Sequence, residues 1–562
     1  MELTGFNVFI DNIQEEVVVN KKKRKILSPV SLRIKSGEFI AIVGCSGAGK
    51  TTLMNILSGY IKPSAGHVYV EGLDILENED LLKGQIAYVP QEEILDSSLT
   101  LNKSLEYSLQ IRVPGLNKAK SKTIINRVLK TLELSHVKNT LIKNLSGGEK
   151  KRASIATEML SDPSLFLLDE PTSGLDANIE KKIMLKLREI ANSGKTIIIT
   201  AHTVSNLHLC DKVLFMGTEG RICYYGPYNK VNSYFDVKEF VDIYDILKNA
   251  SSSWYKKYML ESIIDKDVDY RPVEKKKRVD FFMQTITLVK RYAYSLFNNK
   301  LMFTLLLGES ILMGVLMCLA LEKDSLLNPH NASMICVVFT LASMWLGLFN
   351  TIQEIVKERS MLKKEYMSGL KFSSYISSKL IVVFFLCLYQ AITCVTLIYF
   401  HLDPCLEGNL IFNSLIDLII NFFLIAFSTS VIGLFVSSLV KDTKTTLIFS
   451  PLYMMVQMLF SGMFIPFVDL TKGISYFTSG RWGFESFGSI SNLTSYGVLE
   501  PSKSFFKYTS NHVLCVWIIL IITSLCFLVF SIHAIHINIL SKKSCNLILD
   551  DDKNKVVKVK HK

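Results

Sequence analysis

The stretch Gly44–Thr52, Gly-Cys-Ser-Gly-Ala-Gly-Lys-Thr-Thr, constrains the fold of this chain more than any other. It matches the pattern G-x-x-x-x-G-K-[ST]. The apolar run 39–43 before it predicts a buried strand, and residues 51–57 after it predict the first turns of a helix. In that context the glycines let backbone N–H groups surround a phosphate, and the helix N-terminus adds positive dipole. The alternative is a glycine-rich turn that binds no nucleotide.

This stretch, here called the phosphate loop, predicts specific contacts to a nucleoside triphosphate. Lys50 can reach the β- and γ-phosphates, and the Thr51 hydroxyl can hold Mg²⁺. The ATP contacts predicted in the loop are Gly44, Ser46, Gly47, Gly49, Lys50, Thr51 and Thr52.

Composition divides the chain into two halves. At 562 residues it is too long for one core. Residues 1 to about 280 have ordinary soluble composition, and long apolar runs follow. The net charge is +12, but the cations flank apolar segments and form no aromatic-interleaved patch, which favours a membrane surface over nucleic acid. The 11 cysteines are scattered without a C-x-x-C pair, which argues against a metal site or a disulfide framework.

The N-terminus has neither the basic nor the apolar region of a cleavable signal peptide. We therefore expect an internal apolar segment to direct insertion and the N-terminal half to stay in the cytosol. The basic run 21–25 predicts a solvated hairpin turn, with nucleotide or lipid contact as the less favoured alternative.

Two later motifs predict further contacts to the nucleotide. The strand 86–91 ends in Gln91, which can touch Mg²⁺ and report the nucleotide state to a neighbouring domain. The stretch Leu145–Glu149, Leu-Ser-Gly-Gly-Glu, opens a helix and is called here the serine–glycine motif. A hydroxyl, free N–H groups and the helix dipole coincide there, which predicts an anion site. The residues of that site are Ser146, Gly147 and Gly148.

Acidic residues and a histidine complete the predicted chemistry. An apolar strand places Asp169 at its carboxyl end, where the carboxylate can hold Mg²⁺ through water. Glu170 can then orient or deprotonate the attacking water. Asp176 follows in Ser-Gly-Leu-Asp, and the strand 196–201 ends in His202, which is suited to contact a γ-phosphate.

These motifs together resemble the nucleotide-binding domain of ATP-binding-cassette (ABC) transporters over about residues 1–230. The resemblance implies that two such domains dimerise head to tail. Each ATP would lie between the phosphate loop of one chain and the serine–glycine motif of the other, and Asp176 would belong to the ATP contacts. The family often stacks adenine on an aromatic residue upstream of the loop. Residues 17–25 contain none, so the adenine contacts stay open.

The second half predicts a membrane domain. Residues 236–280 predict a charged linker. Apolar residues at helical spacing over 281–300 predict an amphipathic helix, either at the cytosolic membrane face or packed on the soluble domain. Six apolar segments then approach the ~20 residues that span a bilayer. They run at 302–321, 332–350, 376–400, 413–439, 446–465 and 513–538.

Charge placement predicts the orientation of these spans. Six spans from a cytosolic start return the C-terminus to the cytosol, where the tail begins with Lys542 and Lys543. The loop 401–409 has no Lys or Arg, as expected outside the cytosol. The loop after the second span carries the cations Lys357, Arg359, Lys363, Lys364 and Lys371.

The domain order and four stretches resemble the G subfamily of ABC transporters, the White-type half-transporters. The stretches are Val43–Thr52, Phe166–Asp176, Glu358–Tyr375 and Phe460–Pro466. Two features depart from that family. Its Asn-Pro-x-Asp motif is not recognisable near 236–242, and the predicted external loop 466–512 has no cysteine, so the disulfides found there in some members cannot form.

Three further residues bear on the membrane half. Glu309 lies inside the first span, where a charge is a functional candidate. The alternative is a purely structural glutamate, protonated or hydrogen-bonded inside the bundle. Asn331 and Asn492 begin glycosylation patterns; Asn331 is too near the bilayer to be a good acceptor, and Asn492 is plausible.

The predicted fold class is an α/β P-loop nucleotide-binding domain followed by an all-α six-helix transmembrane domain. The expected segments are the nucleotide-binding domain 1–235, the linker 236–280, the connecting helix 281–300, the transmembrane domain 301–540 and a cytosolic basic tail 541–562.

The predicted activity is ATP hydrolysis with Mg²⁺, catalysed by Glu170, His202 and Gln91, in a half-transporter of the plasma membrane or an organelle membrane. It would pair with an identical or related half-transporter and move a hydrophobic or amphipathic small molecule: a lipid, sterol, xenobiotic or pigment precursor. ATP would close the two soluble domains of the dimer. The segment 351–375, predicted as two short helices with a bend at Gly369, would transmit that closure to the membrane spans. The alternatives are an ABC-fold channel or regulator that does not pump, and an ATPase that only transmits force.

Overall fold

A computed structural model describes residues 4–19, 22–202, 204, 206–261, 270–322, 329–402, 410–464, 469–493 and 506–540. The described chain falls into two compact units. The first takes in the described residues of Met1–Gln284 together with Lys363–Leu370, and the second those of Thr285–Leu362 and Lys371–Leu540. We call them the nucleotide unit and the membrane unit.

Two sheets organise the nucleotide unit. An antiparallel sheet has the strand order β2-β1-β4-β5, and a larger sheet has the order β10-β9-β3-β8-β7-β6. In the larger sheet only β10 runs antiparallel to its neighbour. The strands are β1 (Val8–Val19), β2 (Lys22–Ile34), β3 (Phe39–Gly44), β4 (Ala65–Val70), β5 (Leu73–Asp74), β6 (Ile86–Val89), β7 (Leu165–Leu168), β8 (Thr196–Ala201), β9 (Lys212–Met216) and β10 (Ile222–Pro227).

Helices pack around the larger sheet. The central strands β3, β7 and β8 are buried at every residue and apolar apart from Thr196 and Thr200 of β8, as expected of parallel strands covered on both faces. The helices are α1 (Lys50–Leu57), α2 (Glu79–Leu82), α3 (Leu101–Arg112), α4 (Lys118–Thr131), α5 (Gly147–Met159), α6 (Ala177–Asn192), α7 (Val231–Phe235), α8 (Phe240–Asn249) and α9 (Ser251–Glu261).

The register of the larger sheet brings the ends of its parallel strands together. Val43 of β3 pairs with Ala201 of β8, and Leu168 of β7 pairs with Ile199. The chain therefore leaves β3, β8, β7 and β6 at one edge of the sheet. Ligands of open parallel sheets bind at such an edge, beyond the carboxyl ends of the strands.

The stretch predicted as a charged linker contains helical structure. Helices α8 and α9 occupy much of its first half. Ile243 and Leu247 of α8 are fully buried in the same hydrophobic core as Val43 and Ile199. Their spacing of four residues places both on one face of the helix, which fixes α8 to the sheet.

Helix α10 (Phe281–Asn298) coincides with the predicted amphipathic helix. Its apolar residues Phe282 and Ile286 are 71% and 49% exposed, whereas Gln284 and Arg291 are buried. The exposed apolar side chains agree with the membrane-face alternative. The Gln284 amide donates to the Ile111 carbonyl oxygen over 3.3 Å, which agrees with packing on the soluble domain, so both alternatives stay predictions.

The membrane unit is helical. Its helices are α11 (Lys300–Ala320), α12 (Pro329–Thr351), α13 (Arg359–Met367, of which the last five residues belong to the nucleotide unit), α14 (Phe372–His401), α15 (Ser414–Leu439), α16 (Thr443–Leu459), α17 (Asp469–Ser475), α18 (Ser479–Ile490) and α19 (Ser510–Leu540).

Among the described residues, five helical stretches are long and apolar enough to cross a membrane: Lys300–Ala320, Asn331–Met367, Phe372–His401, Ser414–Leu439 and Ser510–Ile539. The predicted count of six is therefore approximate. The remaining predicted segment, 446–465, corresponds to α16, which has 17 residues with Pro451 inside it. At 1.5 Å per residue it measures about 26 Å, less than the ~30 Å hydrocarbon core.

The predicted bend at Gly369 is present. Gly369 adopts a φ of +108°, a left-handed conformation that favours glycine, between α13 and α14. One short α-helix, α13, precedes Gly369. The helix that follows is the 30-residue α14 rather than a second short helix as predicted.

In its described residues, the predicted external loop 466–512 contains helices α17 and α18 and the start of α19. Every residue of α18 is buried, and the helix packs against α12, α15 and α19. Several predictions lie outside the described residues, among them most of the loop 401–409, the tail with Lys542 and Lys543, and the threonine of the Asn492 glycosylation pattern.

Glu309 of α11 is half-buried and hydrogen-bonded. Gln390 of α14 donates to its Oε1 over 3.0 Å, and the Asn350 amide donates to Gln390 over 2.8 Å. This contact agrees with the structural alternative for Glu309, a hydrogen-bonded glutamate inside the bundle.

Candidate active site

The phosphate loop joins β3 to α1 in a conformation that depends on its glycines. Gly47 and Gly49 have φ values of +79° and +91°, and a Cβ on Gly44 would lie 2.3 Å from the Met216 carbonyl oxygen. Ser46 is exposed, and Thr51 and Thr52 lie half-buried in the first turn of α1. The loop thus has the strand–loop–helix context that the sequence predicted.

Lys50 is folded back onto the loop. Its Nζ donates to the carbonyl oxygens of Gly44 over 2.8 Å and Cys45 over 3.1 Å. Burial lowers the pKa of Lys50, and the nearby carboxylates of Glu170 and Asp169 offset this only in part. A phosphate that replaced the two carbonyls would stabilise the ammonium form.

Asp169 lies at the carboxyl end of β7 and is fully buried. Its Oδ1 accepts a hydrogen bond from the Thr200 hydroxyl over 2.6 Å, whereas Oδ2 has no hydrogen bond within the described chain. Burial raises the pKa of Asp169, and the hydroxyls of Thr200 and Thr51 oppose that rise.

The unpartnered Asp169 oxygen beside a threonine hydroxyl fits a hard cation that prefers oxygen ligands. Thr51 and Asp169 fit their predicted role as residues that would hold Mg²⁺, and the role of Gln91 there stays a prediction. No group of three or more His, Cys, Asp or Glu that could bind a metal occurs among the described residues.

Glu170 is held from three sides. The Gln91 amide donates to its Oε2 over 3.0 Å, and His202 Nε2 contacts its Oε1. The Glu170 backbone N–H donates to the Thr200 hydroxyl over 2.7 Å, while its φ of +49° lies in the left-handed region that non-glycine residues avoid. Backbone strain that neighbouring contacts maintain is typical of functional sites.

The serine–glycine motif lies elsewhere in the unit, at the start of α5. The Ser146 hydroxyl and Glu149 form a capping box, and Ser146 and Gly147 are exposed. Asp176 caps α6 by accepting hydrogen bonds from two backbone N–H groups. In the part of the chain that the structure describes, no hydrogen bond or ion pair joins Ser146, Gly147, Gly148 or Asp176 to the phosphate loop.

Two residues of the site were not predicted. Thr200 links Asp169 to Glu170, and the Lys151 ammonium donates to the Gln91 carbonyl oxygen over 3.0 Å. Thr200 is the one hydroxyl in the run Ile197–Ala201, and a polar residue in an otherwise apolar buried strand was the signal that could have revealed it. Lys151 lies in a cluster of cations on α5, where no single lysine stands out.

Each half of the chain matches a known protein family. Residues 27–173 match the model of the ABC transporter family, and residues 197–533 match that of the ABC-2 family transporter proteins. The second match covers more than half of the chain and all five membrane-length helices begin within it.

Individual relatives agree with these matches. The chain is 27% identical to the ABC transporter ATP-binding/permease protein Rv1747 of Mycobacterium tuberculosis, over 87% of this chain and 58% of that protein. It is 35% identical to ABC transporter G family member 22 of Arabidopsis thaliana, over 40% of this chain and 31% of that protein.

A third relative is ATP-binding cassette sub-family G member 5 of Rattus norvegicus, which is 27% identical over 62% of this chain and 61% of the rat protein. The chain thus spans at most about three fifths of the length of these curated relatives.

Proposed function

Because the chain belongs to the ABC-2 family of ABC transporters and resembles its G family members, we propose that it is an ATP-hydrolysing half-transporter. It would dimerise and move a hydrophobic or amphipathic small molecule across a membrane. The observation that carries the proposal is Glu170, held by Gln91 and His202 beside the phosphate loop, in a chain that continues into membrane-length helices.

In the proposed reaction Glu170 accepts the proton of the attacking water, and His202 contacts the γ-phosphate. Both oxygens of Glu170 are engaged by Gln91 and His202 in the ligand-free chain. A bound nucleotide would compete for those two side chains and free the carboxylate for water. Mg²⁺, held by Thr51, Gln91 and Asp169, would neutralise charge on the phosphates.

Replacing Glu170 by glutamine tests the chemical part of the proposal. The amide cannot accept the proton, so we expect turnover to fall by at least about 100-fold while ATP binding persists. Glu189→Gln, an exposed carboxylate on α6, is the matched control and should leave the rate unchanged. Lys50→Ala should instead weaken ATP binding. Wild-type hydrolysis by Glu170→Gln would contradict the catalytic assignment.

The dimer follows from having one phosphate loop and one serine–glycine motif per chain. We propose that the exposed Ser146–Gly148 of one subunit meets the γ-phosphate bound by the other, in a homodimer or in a heterodimer with a related half-transporter. Both halves of the site are intact here, so a homodimer would have two competent sites.

Mixing two inactive variants tests shared sites. In a mixed dimer of Lys50→Ala and Ser146→Arg chains, one site carries both defects and the other has two wild-type halves. Partial recovery of ATPase activity on mixing is the expected result. Full activity of a chain shown by mass measurement in detergent to be monomeric would refute the shared-site proposal.

The transported substrate is proposed from the apolar character of the spans, in which few ionisable groups occur. A lipid, sterol, xenobiotic or pigment precursor fits that character. Purified chain in vesicles should accumulate such a compound against its gradient when ATP is supplied. Flux that only equilibrates the compound would point instead to an ATP-gated channel or regulator.

We also propose that the nucleotide unit and both termini are cytosolic, with α10 at the cytosolic membrane face. The exposed Phe282 and Ile286 support the placement of α10. A tag inserted in 401–409 should be accessible from outside intact cells, and a tag after Lys562 only after permeabilisation. External access to the second tag would mean an odd number of spans.

A further inference from the structure

Tyr244 of helix α8 contacts two segments of the candidate active site. Its neighbours Ile243 and Leu247 are fully buried in the core that also holds Val43 and Ile199. The helix is therefore anchored to the strands that carry the phosphate loop and His202. Tyr244 itself is half-buried.

Tyr244 contacts two of the loops that leave the edge of the sheet. Its phenol hydroxyl donates to the backbone carbonyl oxygen of His202 over 2.7 Å. Its own carbonyl oxygen accepts the Cys45 thiol over a sulfur–oxygen distance of 3.6 Å. One residue of α8 thus joins the segment after β8 to the phosphate loop after β3.

The hydrogen bond from the Tyr244 hydroxyl bears on catalysis because the His202 side chain contacts the proposed catalytic base. The His202 imidazole contacts the Glu170 carboxylate, and its side chain is 44% exposed, so packing alone does not hold the ring in place. A hydrogen bond to the His202 carbonyl restricts the backbone from which that ring projects. A displacement of about 1 Å at a catalytic group can cost about 100-fold in rate.

We propose that Tyr244 is a positioning residue for ATP hydrolysis, which acts by fixing the backbone of His202 relative to the phosphate loop. This inference rests on the proposed ATPase function. The competing explanation is structural: the phenol hydroxyl satisfies a carbonyl and stabilises α8, with no effect on the reaction itself.

Removing only the hydroxyl separates these explanations. Tyr244→Phe in the full-length chain should lower kcat about tenfold, while KM for ATP and the affinity for a fluorescent ATP analogue change less than twofold. The matched control is Tyr225→Phe, which deletes a similar bond, hydroxyl to the Arg33 carbonyl over 2.8 Å, on β10 of the same unit. The control should keep the wild-type kcat, and both variants should lower Tm by similar amounts.

A double-mutant cycle identifies the residue through which Tyr244 acts. In the His202→Ala background, measured at high enzyme concentration by phosphate release, adding Tyr244→Phe should change kcat less than twofold. An equal tenfold loss in both backgrounds would overturn the inference, and so would a Tyr244→Phe enzyme that matches Tyr225→Phe. If the wild-type chain hydrolyses no ATP, the proposed function itself fails, a result distinct from either of these.

Discussion

Each unit contains a polar network, and the two networks differ in whether they are complete. In the nucleotide unit, Asp169, Thr200 and Glu170 are joined by hydrogen bonds, and His202 and Gln91 close around the glutamate. That network has a buried oxygen without a partner, Asp169 Oδ2, and a histidine that is 44% exposed. The Asp169 oxygen and the His202 ring are therefore available to contact a ligand.

The membrane-unit network is saturated. The Lys379 ammonium lies 2.9 Å from Glu354 Oε2 and 2.9 Å from Glu358 Oε1. Lys357 pairs with the other oxygen of Glu354, and the Tyr375 hydroxyl donates to the other oxygen of Glu358 over 2.6 Å. All four carboxylate oxygens therefore have donors, and the Lys379 side chain is 2% exposed.

Both networks are charged and buried, so neither property distinguishes a candidate active site from a structural network. Whether every polar group in the network has a partner does distinguish them. A buried charged network whose groups are all satisfied rigidifies its surroundings, and an incomplete one is costly unless something completes it. We therefore expect substitutions in the membrane-unit network to affect stability, and substitutions in the nucleotide-unit network to affect turnover.

The largest effect should follow from Lys379→Met. It leaves two carboxylates in the membrane unit without their shared cation, and breaking such a buried pair costs about 3–5 kcal/mol. Thermal unfolding in detergent measures the loss. Lys444→Met, an exposed lysine of α16, is the control and should change stability by less than about 0.5 kcal/mol. The double variant Lys379→Met/Glu354→Gln should recover part of the loss, and no recovery would argue against the pairing.

A second buried group of fully paired charges lies in the nucleotide unit. It tests whether complete pairing, or location in the membrane unit, determines that a substitution affects stability rather than turnover. The Arg112 guanidinium donates to both oxygens of Glu158 over 2.9 and 3.0 Å, and Lys364 lies 3.1 Å from Oε1. Burial alone would raise the pKa of Glu158, but the charges of Arg112 and Lys364 outweigh it and hold the pKa below its ordinary value of 4.5. The contribution of Glu158 to stability is therefore present above pH 4.5 and lost as the pH falls through the lowered pKa.

Glu158→Gln should consequently destabilise the protein by about 1.5–3 kcal/mol at pH 7, the range for hydrogen bonds to charged groups. The difference in Tm between wild type and variant should shrink as the pH is lowered below about 4.5. ATP turnover per folded molecule should be unchanged, because the pair is saturated. A constant difference in Tm from pH 7 to pH 4 would show that folding does not shift the pKa of Glu158.

The proximity of three candidate site residues could be predicted from the positions of strand ends. Gln91, Asp169 and His202 each follow an apolar strand, and parallel strands bring their carboxyl ends to one edge, so their proximity could be inferred without coordinates. Thr200 escaped because its role depends on which face of β8 it occupies. That face is set by the pairing of β8 with its neighbours, so the sequence marks Thr200 as a polar residue in an apolar run but does not show which groups it contacts.

The membrane half was predicted less completely. Apolar run length identified five helices of sufficient length, yet α18 was interpreted as part of a loop. Its residues Ser479–Ile490 include three glycines, three serines and two charged residues, which resemble a loop in composition. Burial there is achieved by small residues and polar contacts, such as the Gly480 N–H that donates to Gln457 Oε1 over 2.9 Å. Hydropathy does not detect that kind of burial.

Thr200→Val tests the incomplete network. The substitution keeps the shape but leaves Asp169 Oδ1 without its donor and the Glu170 N–H without its acceptor. We expect kcat for ATP to fall about tenfold, equal to roughly 1.4 kcal/mol on the barrier. The control Thr196→Val lies on the same strand, equally buried, and loses two hydrogen bonds, to Phe6 and Gly37, away from the site. If both variants lose stability but only Thr200→Val loses turnover, the network serves catalysis; equal turnover would assign Thr200 a structural role.

The smallest effect concerns the capping box of α5, which pairs polar groups at the surface. The Glu149 Oε2 accepts from the backbone N–H and the hydroxyl of Ser146, each over 2.8 Å. Because water can replace these bonds, Glu149→Ala should cost only about 1 kcal/mol, and Glu149→Gln, which can still accept, less. Thermal unfolding of the full chain measures both. Glu149→Ala could instead lower stability as much as Lys379→Met does. Burial would then not determine the cost of breaking a polar network in this protein, and the difference between the networks of its two units would need another cause.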